Sequence, residues 1–401
     1  MTLGREQELA QAMRDQAGEI LDGVMSASGA RLERWAVDAV HARPGAEVSV
    51  AYDVQASGER LYLVATTARI DDAVRARIGA VTAASGAGTL TLWRHPADPR
   101  LPGLATSCVP ALLGERMAAA LGRPVEVGDL EMLVLRPMRR AVLRARVTGS
   151  AHDEPSPWYV KVVRPSRVGA LLARHRSFPL APEAWDLGDG IVLIAAADGM
   201  PMTEHLYRPT APAGRTPLAP HALVEVLDAL PEAALTFERR ATPTEQAARY
   251  GRGAVAAGLD RRRVEALVAR IENGTADQPG PLVPTHGDFH AANLFVTAEA
   301  VPEVTALIDV DTLGPGYRVD DLACMLAHLA TLPDFGADEY ADVPAWAARV
   351  RERFAHDVPA EELGLRTAAV LLSLAAGIED PRLAESWLAR AEREAGIPTA
   401  A

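Results

Sequence analysis

Residues 285–296 read Thr285-His286-Gly287-Asp288-Phe289-His290-Ala291-Ala292-Asn293-Leu294-Phe295-Val296, and the rest of the chain is read outward from them. Asp288 precedes Asn293 by five residues, closing a loop that runs directly into an apolar strand. A short gap later, residues 306–323 read A-L-I-D-V-D-T-L-G-P-G-Y-R-V-D-D-L-A. Here a strand ends on Asp309, and Asp311 follows two residues on. Phosphoryl transfer needs a carboxylate to orient the attacking hydroxyl, oxygen ligands for Mg²⁺ and a cation on the nucleotide phosphates. Asp288 suits the first role, and Asn293 and Asp309 offer the hard oxygens Mg²⁺ prefers. Asparagine occurs only at positions 273 and 293, so its presence in this loop is informative.

The cation lies upstream. Lys161, in Trp158-Tyr159-Val160-Lys161-Val162-Val163, is the single lysine beside 40 arginines. Arg is a broad planar fork, whereas Lys is a compact charge on a thin stem, suited to one oxygen in a narrow slot. Two readings stand: compositional drift that spared one surface lysine, or a site that rejects a guanidinium.

The 401 residues are enough for two or three domains, and 49% hydrophobic with 23% charged residues is ordinary for a soluble globular chain. Residues 1–19 are polar and of mixed charge, unlike a signal peptide, and the longest apolar run, 367–378, is too short to span a bilayer. Cys108 and Cys324 are the only cysteines, without metal-ligand spacing, so a reducing cytoplasm is expected, with no membrane association. The whole net charge of −12 resides in residues 281–401. That argues against a nucleic-acid partner and fits either a cationic ligand or a solubilising acidic surface.

Patterning predicts an α+β chain, strands first and helices last. A helix is expected over 4–25, a hairpin from 47–54 and 60–66, a helix over 71–84, a strand at 89–93 and a helix near 111–121. Strands follow at 130–135, 141–147, 157–163 and 190–195, with a helix over 168–175 and a Pro-rich surface loop at 210–220. Beyond these, Thr242-Pro243-Thr244-Glu245 reads as a capping box opening a helix. Further helices are expected at 221–235, 320–330, 344–354, 361–376 and 381–395. Of single residues, Asp320 reads as a helix cap, His286 as packing behind the loop and Cys324 as core.

On His286, Gly287, Asp288, His290 and Asn293, with Ile308-Asp309, Asp321-Leu322-Ala323 and Lys161, the chain resembles the aminoglycoside phosphotransferase and choline kinase superfamily over about residues 125–395. The resemblance implies a protein-kinase-like two-lobe fold: a cap domain at 1–123, an antiparallel-sheet lobe at 124–200 and a helical lobe at 201–401. The cap is similar in arrangement to that of maltokinase-like members. It implies Asp288 as catalytic base, Asn293 and Asp309 as Mg²⁺ ligands, and Lys161 on the α- and β-phosphates of ATP, with GTP left open. Backbone near Ala195 and Ala196 would receive the base, and Asp311 and His290 would touch substrate or a second metal. The sequence departs from the family twice. The turn Arg136–Arg140 holds no glycine, so either Arg139 and Arg140 reach the phosphates or the turn is merely solvated. No acid stands between 168 and 178 to pair with Lys161, leaving Glu183 or Asp186 as substitutes.

The expected activity is a kinase acting on a hydroxyl of a small molecule: an aminoglycoside, a sugar or amino sugar, or an amino alcohol. An alternative is phosphorylation of Ser or Thr in a peptide, with the N-terminal unit binding it. Only about ten residues separate Asp309 from the helix at Asp320, too few for the activation loop of an ordinary protein kinase. A third reading is a pseudokinase that only binds.

Overall fold

The opening helical periodicity breaks at Gln16. Helices α1 (Arg5–Asp15) and α2 (Ala17–Ala27) flank it, and its side-chain oxygen accepts from the Gly86 N–H at 2.6 Å. The computed structural model describes residues 5–41, 47–148, 156–211 and 214–398. Gly4 of the expected first helix and Pro212 of the expected loop lie outside the described residues. The chain divides into two units, residues 1–172 with 184–196, and residues 173–183 with 197–401. It passes from one to the other at 172/173, 183/184 and 196/197.

The first unit opens with an antiparallel sheet of β1 (Leu32–His41), β2 (Ser49–Ala56), β3 (Glu59–Thr66), β4 (Val81–Ser85) and β5 (Gly88–Arg94), in the order β1-β2-β3-β5-β4. Ser57 and Gly58, both at positive φ, form the two-residue turn that joins β2 to β3 with the right twist. The helix expected over 71–84 is shorter. Helix α3 (Asp72–Ile78) is capped by the Asp71 carboxylate and stopped by Gly79 at φ +65°, the left-handed cap that glycine adopts without a Cβ penalty, and β4 follows at once. Ile20, Leu21 and Met13 pack on Val50, Tyr52, Leu63 and Leu90, and the Tyr52 hydroxyl donates to the Met13 carbonyl at 2.9 Å.

After α4 (Leu104–Ser107) and α5 (Pro110–Leu121) comes a second antiparallel sheet. Its strands are β6 (Glu126–Arg136), β7 (Arg140–Thr148), β8 (Ser156–Val163), β9 (Ala184–Gly188) and β10 (Ile191–Ala195), in the order β6-β7-β8-β10-β9, with α6 (Pro165–Ser177) between β8 and β9. Alternation divides the two faces of β8. Val160 and Val162 pack with Leu101, Leu104, Leu113 and Met117. The opposite face carries Val163, which packs with Val192 of β10 under Val168, Leu171 and Leu172 of α6. Lys161 pairs with Val142 and Val192 in register, so it stands on the α6 face.

The β6–β7 turn ties the second sheet to the first. Met138, at φ +61° in the β6–β7 turn, is buried with Ala51, Val64, Ile70 and Trp93 of the first sheet and its connections. The buried Asp98 accepts from the Met138 N–H at 2.8 Å and from the N–H groups of Arg100 and Leu101 at 2.8 and 3.0 Å. Arg164 Nε donates to the Met138 carbonyl at 3.0 Å.

The second unit is mostly helical. Its elements are β11 (Met200–Pro201), α7 (Met202–Leu206), α8 (Pro220–Asp228), α9 (Ala247–Ala256), α10 (Arg261–Gly274), β12 (Val283–Thr285), β13 (Leu294–Val296), β14 (Val304–Leu307), β15 (Gly314–Gly316), α11 (Arg318–Thr331), α12 (Val343–Phe354), α13 (Ala360–Ala375) and α14 (Pro381–Glu394). The helix expected over 221–235 ends at Asp228, ahead of Pro231, and a 3₁₀ turn takes residues 232–236. Both capping-box hydrogen bonds form, Glu245 N–H to Thr242 Oγ1 at 3.3 Å and Thr242 N–H to Glu245 Oε2 at 2.8 Å, but regular helix begins only at Ala247. One core joins α8, α11 and α12 to β13 and β14; another surrounds α13 with α9, α10 and α14. No helix among the described residues is long and apolar enough to cross a membrane. The α+β expectation, with an antiparallel sheet ahead of the helices, is borne out.

Candidate active site

The loop 285–293 leaves β12 and enters β13, and its inward residues anchor it. His286, Phe289 and Leu294 are fully buried, with Ala291 nearly so, while the Asp288 side chain among them is 43% exposed. Asp321, at the start of α11 and 1% exposed, accepts from the His286 N–H with one oxygen and from the Gly287 N–H with the other, both at 2.8 Å. His286 Nε2 donates to the Ile308 carbonyl at 3.0 Å, and Thr312 Oγ1 donates to the His286 carbonyl at 2.5 Å. Gly287 is at φ +78°, and a Cβ there would meet Thr312 atoms at 3.1–3.2 Å, so glycine is needed for both conformation and space. His286 thus packs behind the loop as expected. Burial pushes the Asp321 carboxyl up to about 7, against the pull of its two N–H donors.

Asn293 Nδ2 donates to the Asp288 carbonyl at 2.9 Å and faces His290 Nε2 at 3.1 Å. With both amide hydrogens directed inward, its Oδ1 is the atom offered to a ligand. His290, lowered by burial despite the nearby carboxylates, is neutral and accepts at Nε2. Its 3.7 Å separation from Asp288 Oδ1 is too long for a hydrogen bond. The Ile308 N–H donates to the Asn293 carbonyl at 2.9 Å and β13 pairs with β14 from Leu294↔Leu307 onward, so Asp309 follows on the strand end beside Asn293. Asp309 takes φ +57°, ψ +43°, a left-handed conformation uncommon outside glycine and one that clusters at functional sites. Asp311 lies in the 3₁₀ turn 310–312 just beyond. One carboxylate and one amide oxygen suit Mg²⁺, which keeps several waters and takes substrate phosphates as further ligands.

Helix α11 presents a second set of groups to the same loop. Asp321, Cys324 and His328 follow at i, i+3 and i+7, one face of the helix. Cys324 is buried as expected, but against the loop as well as the core: its Sγ is 4.0 Å from Asp288 Oδ1. The His328 ring stacks on His290, centroids 4.1 Å apart, and burial with that neighbour pushes it down to about 3. Asp320 is no helix cap; Tyr317 holds that position. Asp320 accepts from Arg366 Nη1 at 2.7 Å, while Arg366 also donates to Glu362 and to the Ala276 carbonyl. An exposed cap would leave the buried guanidinium of α13 without its second carboxylate.

In the first unit, Lys161 is 6% exposed on β8. Asp186 is exposed on β9 and accepts from the Gly188 N–H at 2.8 Å; Glu183, also exposed, is the last residue of the second unit's opening segment. Arg136 and Arg140 are cross-strand partners at the β6–β7 turn, and Arg140 Nε is buried with no hydrogen-bond partner among the described residues. Burial and the adjacent charges of Arg140 and Arg139 push Arg136 down. Ala195 and Ala196 are the last residues of the unit before the chain crosses to the second.

The bracing role of Asp321 and the placement of Cys324 and His328 against Asp288 are additions to the sequence reading. The i, i+3, i+7 spacing was the available signal that the three share a helix face, though not of what that face touches.

The sequence profile of the phosphotransferase enzyme family matches residues 151–357, just over half of the chain. A search of curated proteins found no match. Among solved structures, the chain is similar to a thermostable mutant of an aminoglycoside phosphotransferase, at 15% identity over 71% of this chain and 98% of that one, TM-score 0.49. It is also similar to choline kinase from Cryptosporidium parvum, at 10% identity over 73% and 93%, TM-score 0.43. A third is Plasmodium vivax ethanolamine kinase, at 10% identity over 67% and 83%, TM-score 0.41.

Proposed function

The chain belongs to the phosphotransferase enzyme family, and we propose that within it this protein moves the γ-phosphoryl group of ATP to a hydroxyl of a small molecule with the help of Mg²⁺. One observation carries the reading: the loop 285–293 is fixed on its inner side by Asp321, Ile308 and Thr312 while the Asp288 carboxylate is left open to solvent. A base must be held rigidly and still be reachable by the proton it takes.

In this reading the acceptor hydroxyl donates to Asp288, its oxygen bonds to the γ-phosphorus as the bond to the β-phosphate oxygen breaks, and Asp288 takes the proton as ADP leaves. Asn293 Oδ1 and the Asp309 carboxylate would hold Mg²⁺, which when bound neutralises phosphate charge. Lys161 is assigned to the α- and β-phosphates. Arg139 and Arg140 are assigned to the outer phosphate oxygens, supported by the crowding of like charges at that turn. The backbone at Ala195 and Ala196 is assigned to the base. Asp311 and His290 are kept as contacts of substrate or second metal, His290 through its hold on Asn293. The net charge of −12 in residues 281–401 favours an acceptor bearing an amine, through attraction at long range. Among the solved structures similar to this chain, one is a ternary complex of an aminoglycoside phosphotransferase with ADP and hygromycin B.

The test is incubation with Mg-ATP and a panel of aminoglycosides, sugars, amino alcohols and peptides, read as a phosphate mass gain on the acceptor. Asp288→Asn should lower transfer by about 10³-fold or more. Transfer to no small molecule, or to a peptide alone, would overturn the proposal.

A further inference from the structure

We infer that Asp288, Cys324 and His328 form a binding site for a soft divalent transition metal of the zinc class, chemically separate from the oxygen pair Asn293 and Asp309. One donor atom from each of the three side chains lies within 4.8 Å of the others, and the sulfur–carboxylate separation is 4.0 Å. Tetrahedral zinc takes sulfur at about 2.3 Å and imidazole nitrogen or carboxylate oxygen at about 2.0–2.2 Å. Donors sharing one ion therefore stand roughly 3.3–4 Å apart, and these three reach that spacing by small side-chain adjustments.

The frame is already rigid. Cys324 and His328 are four residues apart on α11 (Arg318–Thr331) and so project from one face. Asp288 sits on a loop that Asp321 of the same helix holds by two hydrogen bonds. His290 stacks on the His328 ring and lies 3.7 Å from Asp288, walling one side, while the exposed edge of Asp288 is the way in. A thiolate with an imidazole selects zinc, cobalt or copper over Mg²⁺. Three protein ligands leave the fourth position for water, the arrangement of an open site. On binding, the Cys324 S–H proton passes to solvent as the sulfur–metal bond forms, with no change of oxidation state.

Metal in this site occupies the carboxylate assigned as the base, so it switches transfer off until a chelator removes it. That consequence rests on the proposed transfer reaction; the binding itself does not. The full-length, metal-stripped protein is titrated with Co²⁺. The expected result is one equivalent bound, with an intense near-ultraviolet thiolate-to-cobalt absorption that Zn²⁺ displaces. Cys108→Ser keeps the band, Cys324→Ser and Cys324→Ala abolish it, and His328→Gln weakens Co²⁺ binding at least tenfold, all with melting curves that show a folded protein. In the transfer assay, Cys324→Ser should need at least tenfold more Zn²⁺ for half-inhibition. No thiolate band in the folded wild type, or a band that survives in both Cys324 variants, would overturn the inference. A cobalt band in a protein that transfers phosphate to nothing would uphold the site and sink the transfer reading alone.

Discussion

Lys161 shows how much one side chain can be asked to discriminate. It stands between Val142 and Val192 on the face of β8 covered by α6, a setting with room for a thin stem and little for a planar fork. Lys161→Arg, nominally conservative in a chain with 40 arginines, should therefore cost on the order of 100-fold in kcat/KM, about 2.7 kcal/mol. Activity near wild type would return the lone lysine to compositional accident. Asp321 makes a different demand. Its folded pKa of about 7 lies above the unfolded value of about 3.9, so its contribution to stability is complete below pH ~4 and is lost as pH rises through 7. Urea midpoints of the wild type should fall across that window by the equivalent of roughly 1.4 kcal/mol per pH unit at most, and Asp321→Asn should remove that slope. Asp288 and Asn293 stand out as a pair because one loop keeps them five residues apart, and Asp309 because it ends a later apolar strand. The partners of Asp321 stand 34 and 35 positions away, and no local pattern announces a contact of that span.

At the level of elements, the β6–β7 turn is held from outside its own sheet. Asp98 fixes the Met138 N–H, and the Met138 side chain is seated with Trp93 and Val64. In Asp98→Asn one carboxylate oxygen becomes an NH₂ group, and a backbone N–H then faces a donor, a loss of about 1–3 kcal/mol. If Arg139 and Arg140 contact nucleotide, this variant should raise the KM for ATP several-fold while leaving kcat within about twofold, since only ground-state and transition-state binding are weakened together. An unchanged KM would release the turn from that role. Strong periodicity made α12, α13 and α14 legible nearly to the residue, whereas β1 and β9 were missed. β1 is an edge strand whose residues Glu33 to Val37 are almost all exposed, so no buried face imposes alternation. β9 has only five residues, too few for a period to register. The helix expected over 71–84 overran because Gly79 decides its end, and an isolated glycine signals a stop only when its φ is known.

For the molecule as a whole, ligand linkage gives the simplest test. A protein that binds nucleotide only when folded should gain about 2.7 kcal/mol when ATP stands at 100 times its Kd, seen as a rise in melting temperature with Mg-ATP. Lys161→Met should shrink that rise while keeping the ligand-free melting temperature within a few degrees. No shift in the wild type would contradict nucleotide binding. The acidic bias of the last third was legible from composition alone, whereas the crossing at 172/173 was not, because it falls inside α6, where no linker composition marks it. That threading has a consequence for synthesis. In the second sheet β8 pairs with β10, and β10 alone carries β9, so a chain emerging from the ribosome shows β8 as a raw edge until residue 195 is out. In the interval it must also extrude residues 173–183, which belong to a unit whose remainder has yet to be translated. The first unit cannot close ahead of the second's opening segment, and the nascent chain is open to strand-exchange at β8 for as long as that takes.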